Sequence, residues 1–277
     1  MTARQKILAS ILLLAVLGGV AWESLRSRIP DPIYEGKHLS YWLGCDDSQR
    51  DKIDAAVRQA GTNAIPLLMG ELQAHQSALT RLLVDLAENQ RLIKVSFTSD
   101  EERWTIAREE FVVMEPEARR AIPVKELMRI YDMNLSGDSQ KAVIFVLNHI
   151  EPASDETIPF LVRATTNSNS EVRFFALAGL GKFHVHSEVS VPVLLKFLDD
   201  SNSLIQKVVV DGLGRLGHQS EVAVPRLLEL RGTVPSAADV PNDKYLGRDM
   251  IDDALVKIDS AAAANAGIQT NKASPAQ

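Results

Sequence analysis

The residues of this 277-residue chain that could do chemistry are few, and each has a competing structural reading. The run Gly212-Leu213-Gly214-Arg215-Leu216-Gly217 is a literal G-x-G-x-x-G directly after Val208-Val209-Val210. After a strand, such a run lets a pyrophosphate approach backbone N–H groups at a helix N-terminus. The surroundings oppose that use. A helix opening at Gly217 would meet Pro225 within about two turns. No second strand with an acidic residue follows at the expected distance of about 20 residues. The sister run Gly179-Leu180-Gly181-Lys182-Phe183 drops the third glycine. The glycine run is therefore read as a helix end with a glycine stop.

His184, His186 and Glu188 suggest a metal, but zinc needs three or four ligands and no further His or Cys lies near in sequence. Cys45 is the sole cysteine, so an internal disulfide is excluded, and no neighbouring base marks it as a nucleophile. The carboxylate pairs Glu101-Glu102 and Glu109-Glu110 are expected on helices facing solvent, and adjacent residues do not share a helix face. No catalytic residue, cofactor or metal site is expected. Lys plus Arg total 30 against 36 Asp plus Glu, a net charge of −6, which argues against nucleic acid as a partner. With 45% hydrophobic residues the chain can nonetheless bury a sizeable core.

The elements that would carry these residues show themselves as a repeat. Prolines at 66, 123, 159, 192 and 225 each follow an aliphatic residue, as in Ile158-Pro159-Phe160-Leu161, Val191-Pro192-Val193-Leu194-Leu195 and Val224-Pro225-Arg226-Leu227-Leu228. The last two intervals are both 33 residues. Proline suits the first turn of a helix, where its missing N–H has no intrahelical partner. A second pattern follows: Val172, Phe175, Ala176, Gly179, Leu180 and Phe183 return 33 residues on as Ile205, Val208, Val209, Gly212, Leu213 and Leu216. Their spacing is one apolar stripe of a helix. Ala142, Phe145, Leu147 and Ile150 fill the same register earlier in the chain. Turns are expected at Thr165-Thr166-Asn167 and Asp199-Asp200-Ser201, and Gly179 and Gly212 would let a neighbouring helix approach closely. Each unit reads as a helical hairpin that buries its stripe by stacking on the next.

Val-Pro-x-Leu-Leu, an Asp-Ser turn and Gly-Leu-Gly-Arg-Leu-Gly together resemble HEAT repeats, and more narrowly the short bacterial HEAT repeats also found in phycobilisome lyases. The resemblance covers residues 49–259 and is strongest over 155–231. It implies an all-α fold: an α-solenoid of stacked antiparallel helix pairs, a HEAT-like superhelix. Within it, Leu79 to Leu92 would partner the Pro66 helix, Trp104 to Met114 an added helix, and Asp51 to Ala60 an orphan second helix. Ala254 to Asp259 reads as a last second helix, displaced by an inserted loop over 233–244. The amphipathic segment 30–48 is expected to cap the stack, and 260–277 to be a flexible tail.

Ahead of this lies a basic start, Arg4 and Lys6, followed by an uncharged run from Ile7 to Trp22. It is read as an N-terminal apolar helix within a signal anchor and linker over 1–29. The run spans roughly 24 Å of helix, short of a hydrocarbon core of about 30 Å, a gap that snorkelling by Lys6 and Arg26 can cover. Residues 7–22 would then hold the chain on the membrane with the solenoid outside the cytoplasm. The alternative is cleavage near Ala21 and secretion.

The repeat aligns His149, Lys182 and Arg215 by 33 residues, and a 42-residue step reaches Lys257. Stacking would turn these four into a ladder along one edge. It is either a stripe for an acidic partner on an otherwise acidic protein, or a set of cations complementing helix C-termini. The function expected is a non-catalytic protein–protein interaction scaffold, tethered to the membrane, with another protein as partner and no small-molecule substrate. The alternatives are a lyase-type enzyme, which the narrower resemblance implies but an export signal opposes, and an envelope-structural spacer.

Overall fold

The structure is a computed structural model that describes residues 29–75, 98–150, 155–234 and 246–268. Among these residues the fold is all-α apart from one short ribbon, and the chain divides between Pro123 and Val124 into two compact units.

In the first unit, β1 (Ile33–Tyr34) and β2 (Lys37–His38) form an antiparallel ribbon where the sequence suggests only an amphipathic cap. Glu35 and Gly36 both take positive φ (48° and 74°), the backbone a tight hairpin turn requires. Helix α1 (Leu39–Leu43) follows and buries Leu39 and Trp42, whose Nε1 donates to the Tyr34 carbonyl at 3.0 Å. Then come α2 (Arg50–Ala60), α3 (Ile65–Leu72), α4 (Asp100–Val113) and α5 (Pro116–Arg119). Helices α2 and α4 are those expected from Asp51 and Trp104. Pro66 lies in the first turn of α3, as its missing N–H favours. Ser99 and Glu102 close a capping box at the start of α4. Helix α4 packs on α3 through Trp104, which donates to the Ala74 carbonyl at 3.0 Å, and through Arg103, paired with Glu71. Residues 79–92 lie outside the described residues.

The second unit contains α6 (Val124–Asp132), α7 (Gly137–Leu147), α8 (Thr157–Ala164), α9 (Ser170–Lys182), α10 (Ser187–Lys196), α11 (Ser203–Leu216), α12 (Val224–Thr233), α13 (Arg248–Ile258) and α14 (Ser260–Asn265). Its helices pack in pairs, and α7, α9, α11 and α13 pack successively, each on the next. Three of the four open on side-chain caps exactly one repeat apart. Ser136 accepts from the Ser139 N–H at 3.0 Å, Asn169 from the Glu171 N–H at 2.9 Å, and Asn202 from the Leu204 N–H at 3.0 Å.

The expected stripes are buried apart from Phe175, which is half-buried: Val172, Ala176 and Leu180 on α9, and Ile205, Val209 and Leu213 on α11. Leu177 and Val210, off those stripes, are buried too, because each of these helices is covered by neighbours on more than one side. The glycines set the spacing. A Cβ on Gly181 would stand 2.3 Å from the Gly212 Cα, and one on Gly214 would stand 3.1 Å from the Ala254 Cα. Gly217 stops α11 with φ 57°, so the glycine run is interior helix plus a helix end, as expected.

Two local expectations change. Pro192 lies inside α10, not at its start, because the helix opens a turn earlier, with the Val189 and Ser190 N–H groups both bonded to the His186 carbonyl. Residues 260–268, read from sequence as flexible tail, form α14 and its end. Asp259 caps α14 by accepting from the Ala261 and Ala262 N–H groups, and Ala263 and Ile268 are buried. Residues 7–22, the greater part of the 233–244 loop and residues 269–277 lie outside the described residues. Among the described residues, no helix is long and apolar enough to cross a membrane.

Candidate functional site

The four residues of the expected ladder all fall at the C-terminal ends of α7, α9, α11 and α13. His149, just beyond α7, is half-buried, its Nδ1 2.7 Å from the Phe145 carbonyl and its ring 4.5 Å from the Phe145 ring. Lys182 ends α9 and reaches back to the preceding helix, its ammonium donating to the Asn148 carbonyl at 2.6 Å. A helix C-terminus leaves carbonyls without partners, and Lys182 satisfies one of them while complementing the negative end of the dipole. Arg215, exposed, pairs with Asp211 one turn back at 2.8 Å. Lys257, in the last turn of α13, is exposed. The first two members thus serve the helix ends, while Arg215, paired with Asp211, and Lys257 lie on the exposed surface.

The three histidines of the repeat connections, His184, His186 and His218, are exposed. His186 lies between Asp155 (3.4 Å) and Glu188 (3.3 Å), and these acceptors raise its pKa. Among the described residues, no group of three or more His, Cys, Asp or Glu is placed to hold a metal ion.

A second site lies in the first unit, and the sequence reading does not identify it. A cavity of about 750 Å³ opens between α1 with the start of α2 on one side and α4 on the other. Cys45, Asp46 and Arg50 line the first wall, and Glu101, Glu109 and Glu110 the second. Arg50 is the hub. Its guanidinium lies 3.0 Å from Asp54, 3.1 Å from Glu109 and 3.1 Å from Glu110.

Glu110 is the outlier. Expected on a solvent face, it is instead 0% exposed. Neither of its carboxylate oxygens accepts a hydrogen bond, since Arg50 approaches Oε1 outside hydrogen-bonding geometry. Burial disfavours the charged form and outweighs the attraction of Arg50, while Asp54 and Glu109 add repulsion. The Glu110 carboxyl is accordingly pushed up to about 7. A carboxyl that changes charge near neutral pH on the wall of a cleft is the kind of group found at functional sites.

Its burial has a signal in the sequence. Trp104, Ala107, Phe111 and Met114 trace the buried face of α4, and Glu110 stands three residues after Ala107 on that face. Cys45 is half-buried at the same cavity, and its Sγ donates to the Tyr41 carbonyl at 3.4 Å.

No family model matches the chain, and no curated protein is similar to it in sequence. Among solved structures, the crystal structure of an engineered protein is similar to it at 21% identity and a TM-score of 0.43, over 80% of this chain and 95% of that one.

Proposed function

We propose that this protein is a non-catalytic interaction scaffold of HEAT-like solenoid type, held at a membrane by residues 7–22 with its helical part outside the cytoplasm, that docks another protein. The observation that carries this reading is the regularity of the second unit. Its capping residues Ser136, Asn169 and Asn202 fall at 33-residue steps, and the helices they open pack in succession with α13. Repetition of this kind extends a surface by adding units and creates no enclosed pocket, which suits a macromolecular partner. Arg215 and Lys257 put cationic side chains on the exposed ends of adjacent helices of an acidic chain, a local contrast that orients an acidic partner.

In-cell crosslinking of a tagged chain, followed by membrane fractionation, tests partner and compartment together. The expected result is a discrete crosslinked partner in the membrane fraction, lost when Arg215 and Lys257 are both changed to Glu. Capture unaffected by that reversal refutes the docking edge. A chain that captures no discrete partner refutes the scaffold and leaves a spacer role. Bilin transfer to an acceptor protein by the purified chain would replace the scaffold with a lyase.

A further inference from the structure

We propose that the ribbon of the first unit rests turn-first on the headgroup layer of a lipid bilayer, with Tyr41 of α1 beside it. Successive residues of a strand point to opposite sides, so Ile33 on one side and the Tyr34–Lys37 pair on the other flank the exposed turn at Glu35-Gly36. Ile33 is 62% exposed and Tyr41 47%. The Lys37 ammonium stands 3.9 Å from the centre of the Tyr41 ring. Single exposed apolar residues are ordinary on a protein surface. What is particular here is the set: an aliphatic side chain, a tyrosine and a lysine around one turn. Bilayer interfaces take that set. The ring lies among the headgroups, the lysine stem stays on apolar surface while its ammonium reaches phosphate, and the aliphatic chain leaves water. The nearby carboxylates are engaged within the unit: Glu35 is paired with Lys52 at 3.6 Å, and Asp31 accepts from the Ser40 hydroxyl and N–H.

The independent observation is where the chain enters the unit. Ile29, the first described residue, is seated on α3, 3.6 Å from the position that a Cβ on Gly70 would take. Only residues 23–28 separate it from Trp22, the end of the apolar run. Even fully extended, that connection reaches roughly 25 Å. With residues 7–22 held in a membrane, Ile29 is confined to that distance from it, and Ile33 follows four residues later. The ribbon is thus the first element that the tether delivers to the interface.

The tether also decides the energetics. Three contact side chains would not hold a free protein on a bilayer, since even a single myristoyl chain binds only marginally. A short connection makes the contact intramolecular, at an effective concentration in the millimolar range, and a weak contact then suffices to orient the unit. The direction of α2 sets that orientation. Lys52, in its first turn, is paired with Glu35 and lies 5.6 Å from the Trp42 ring, so the ribbon stands at the start of α2. The far end of α2 leads into Gly61–Ala64, on which α5 packs. Eleven residues of helix place α5 roughly 16 Å beyond the ribbon, away from the bilayer.

This contact presupposes the membrane tether proposed above, and one experiment separates the two. Cys45→Ser removes the sole cysteine, and a single NBD fluorophore is then placed on Ile33→Cys or, as the control, on Glu117→Cys of α5, both exposed positions. The full chain is reconstituted into nanodiscs of phosphatidylcholine and phosphatidylglycerol, with and without lipid spin-labelled just below the headgroup. Capture of the chain by the nanodiscs reads the tether, and quenching by the labelled lipid reads the contact. The fluorophore at 33 is expected to shift to the blue and to be quenched, and that at 117 to do neither. Lys37→Gln, at an exposed turn residue, is expected to weaken the contact about fivefold, the factor that one lysine is worth at an anionic bilayer surface. A captured chain quenched equally at 33 and 117 overturns the proposal and leaves the tether standing. A blue shift at 33 without lipid quenching also overturns it, because protein then covers the ribbon. A chain that the nanodiscs do not capture overturns the tether and the contact with it.

Discussion

Glu110 makes the pH dependence of stability run opposite to the usual carboxylate case. In the unfolded chain its carboxyl ionises near 4.5, and in the folded chain near 7. Below pH 4.5 it is protonated in both states and contributes no difference. Between those values the unfolded chain has released the proton and the folded chain still holds it, so stability falls as pH rises. Above about 7 both states are ionised and the loss is complete. At about 1.4 kcal/mol per unit, the shift corresponds to about 3 kcal/mol.

Glu110→Gln keeps the shape of the protonated side chain and has no proton to lose. The variant is therefore expected to match wild type near pH 4.5 and to exceed it by up to about 3 kcal/mol at pH 8. Arg50 is not stranded by the change, since it keeps Asp54 and Glu109. Urea unfolding followed by tryptophan fluorescence reads this directly, because Trp42 and Trp104 are both buried in the first unit. Subtracting wild type from variant at each pH cancels every other titrating group common to both. A difference curve that stays flat from pH 4.5 to 8 would refute the reasoning. So would a variant less stable than wild type at pH 8, which would mean that attraction to Arg50 outweighs the desolvation of Glu110.

Three further outcomes follow from the second unit. Gly181→Ala forces a Cβ to within 2.3 Å of the Gly212 Cα and is expected to destabilise by about 2 kcal/mol or more, whereas Gly232→Ala, with open space around it in α12, is expected to gain about 0.5–1 kcal/mol, both read by thermal unfolding. Asn169→Ala and Asn202→Ala each remove a side-chain cap and are expected to cost about 1 kcal/mol in urea unfolding, with little coupling to the Glu110 variant. His186 is expected to titrate above its ordinary value by NMR and to return to it in Asp155→Asn/Glu188→Gln, and its stabilising contribution is present below pH 6.5 and lost as pH rises through the folded value.

What the sequence makes legible, and what it hides, separates along the two units. In the second unit the determinants are local and repeated. Val172, Ala176 and Leu180 announce a helix face by spacing alone, and their return at Ile205, Val209 and Leu213 announces a neighbour of the same kind. Even the caps were readable, since Ser136, Asn169 and Asn202 carry the side chains that N-termini require at the repeat interval. The opposite holds where a residue's state depends on a partner distant in sequence. Glu110 sits in register with Ala107 and Phe111, yet nothing beside it specifies the Arg50 guanidinium, which comes from an element distant in the chain. The ribbon at Ile33–His38 and the burial of Ile268 likewise depend on contacts formed outside any period. The 33-residue interval has lapsed in the first unit, where the proline spacing widens to 57. The buried carboxylate and its cavity stand on α4, in the unit where that interval has lapsed, so no repeat of the pattern could announce them.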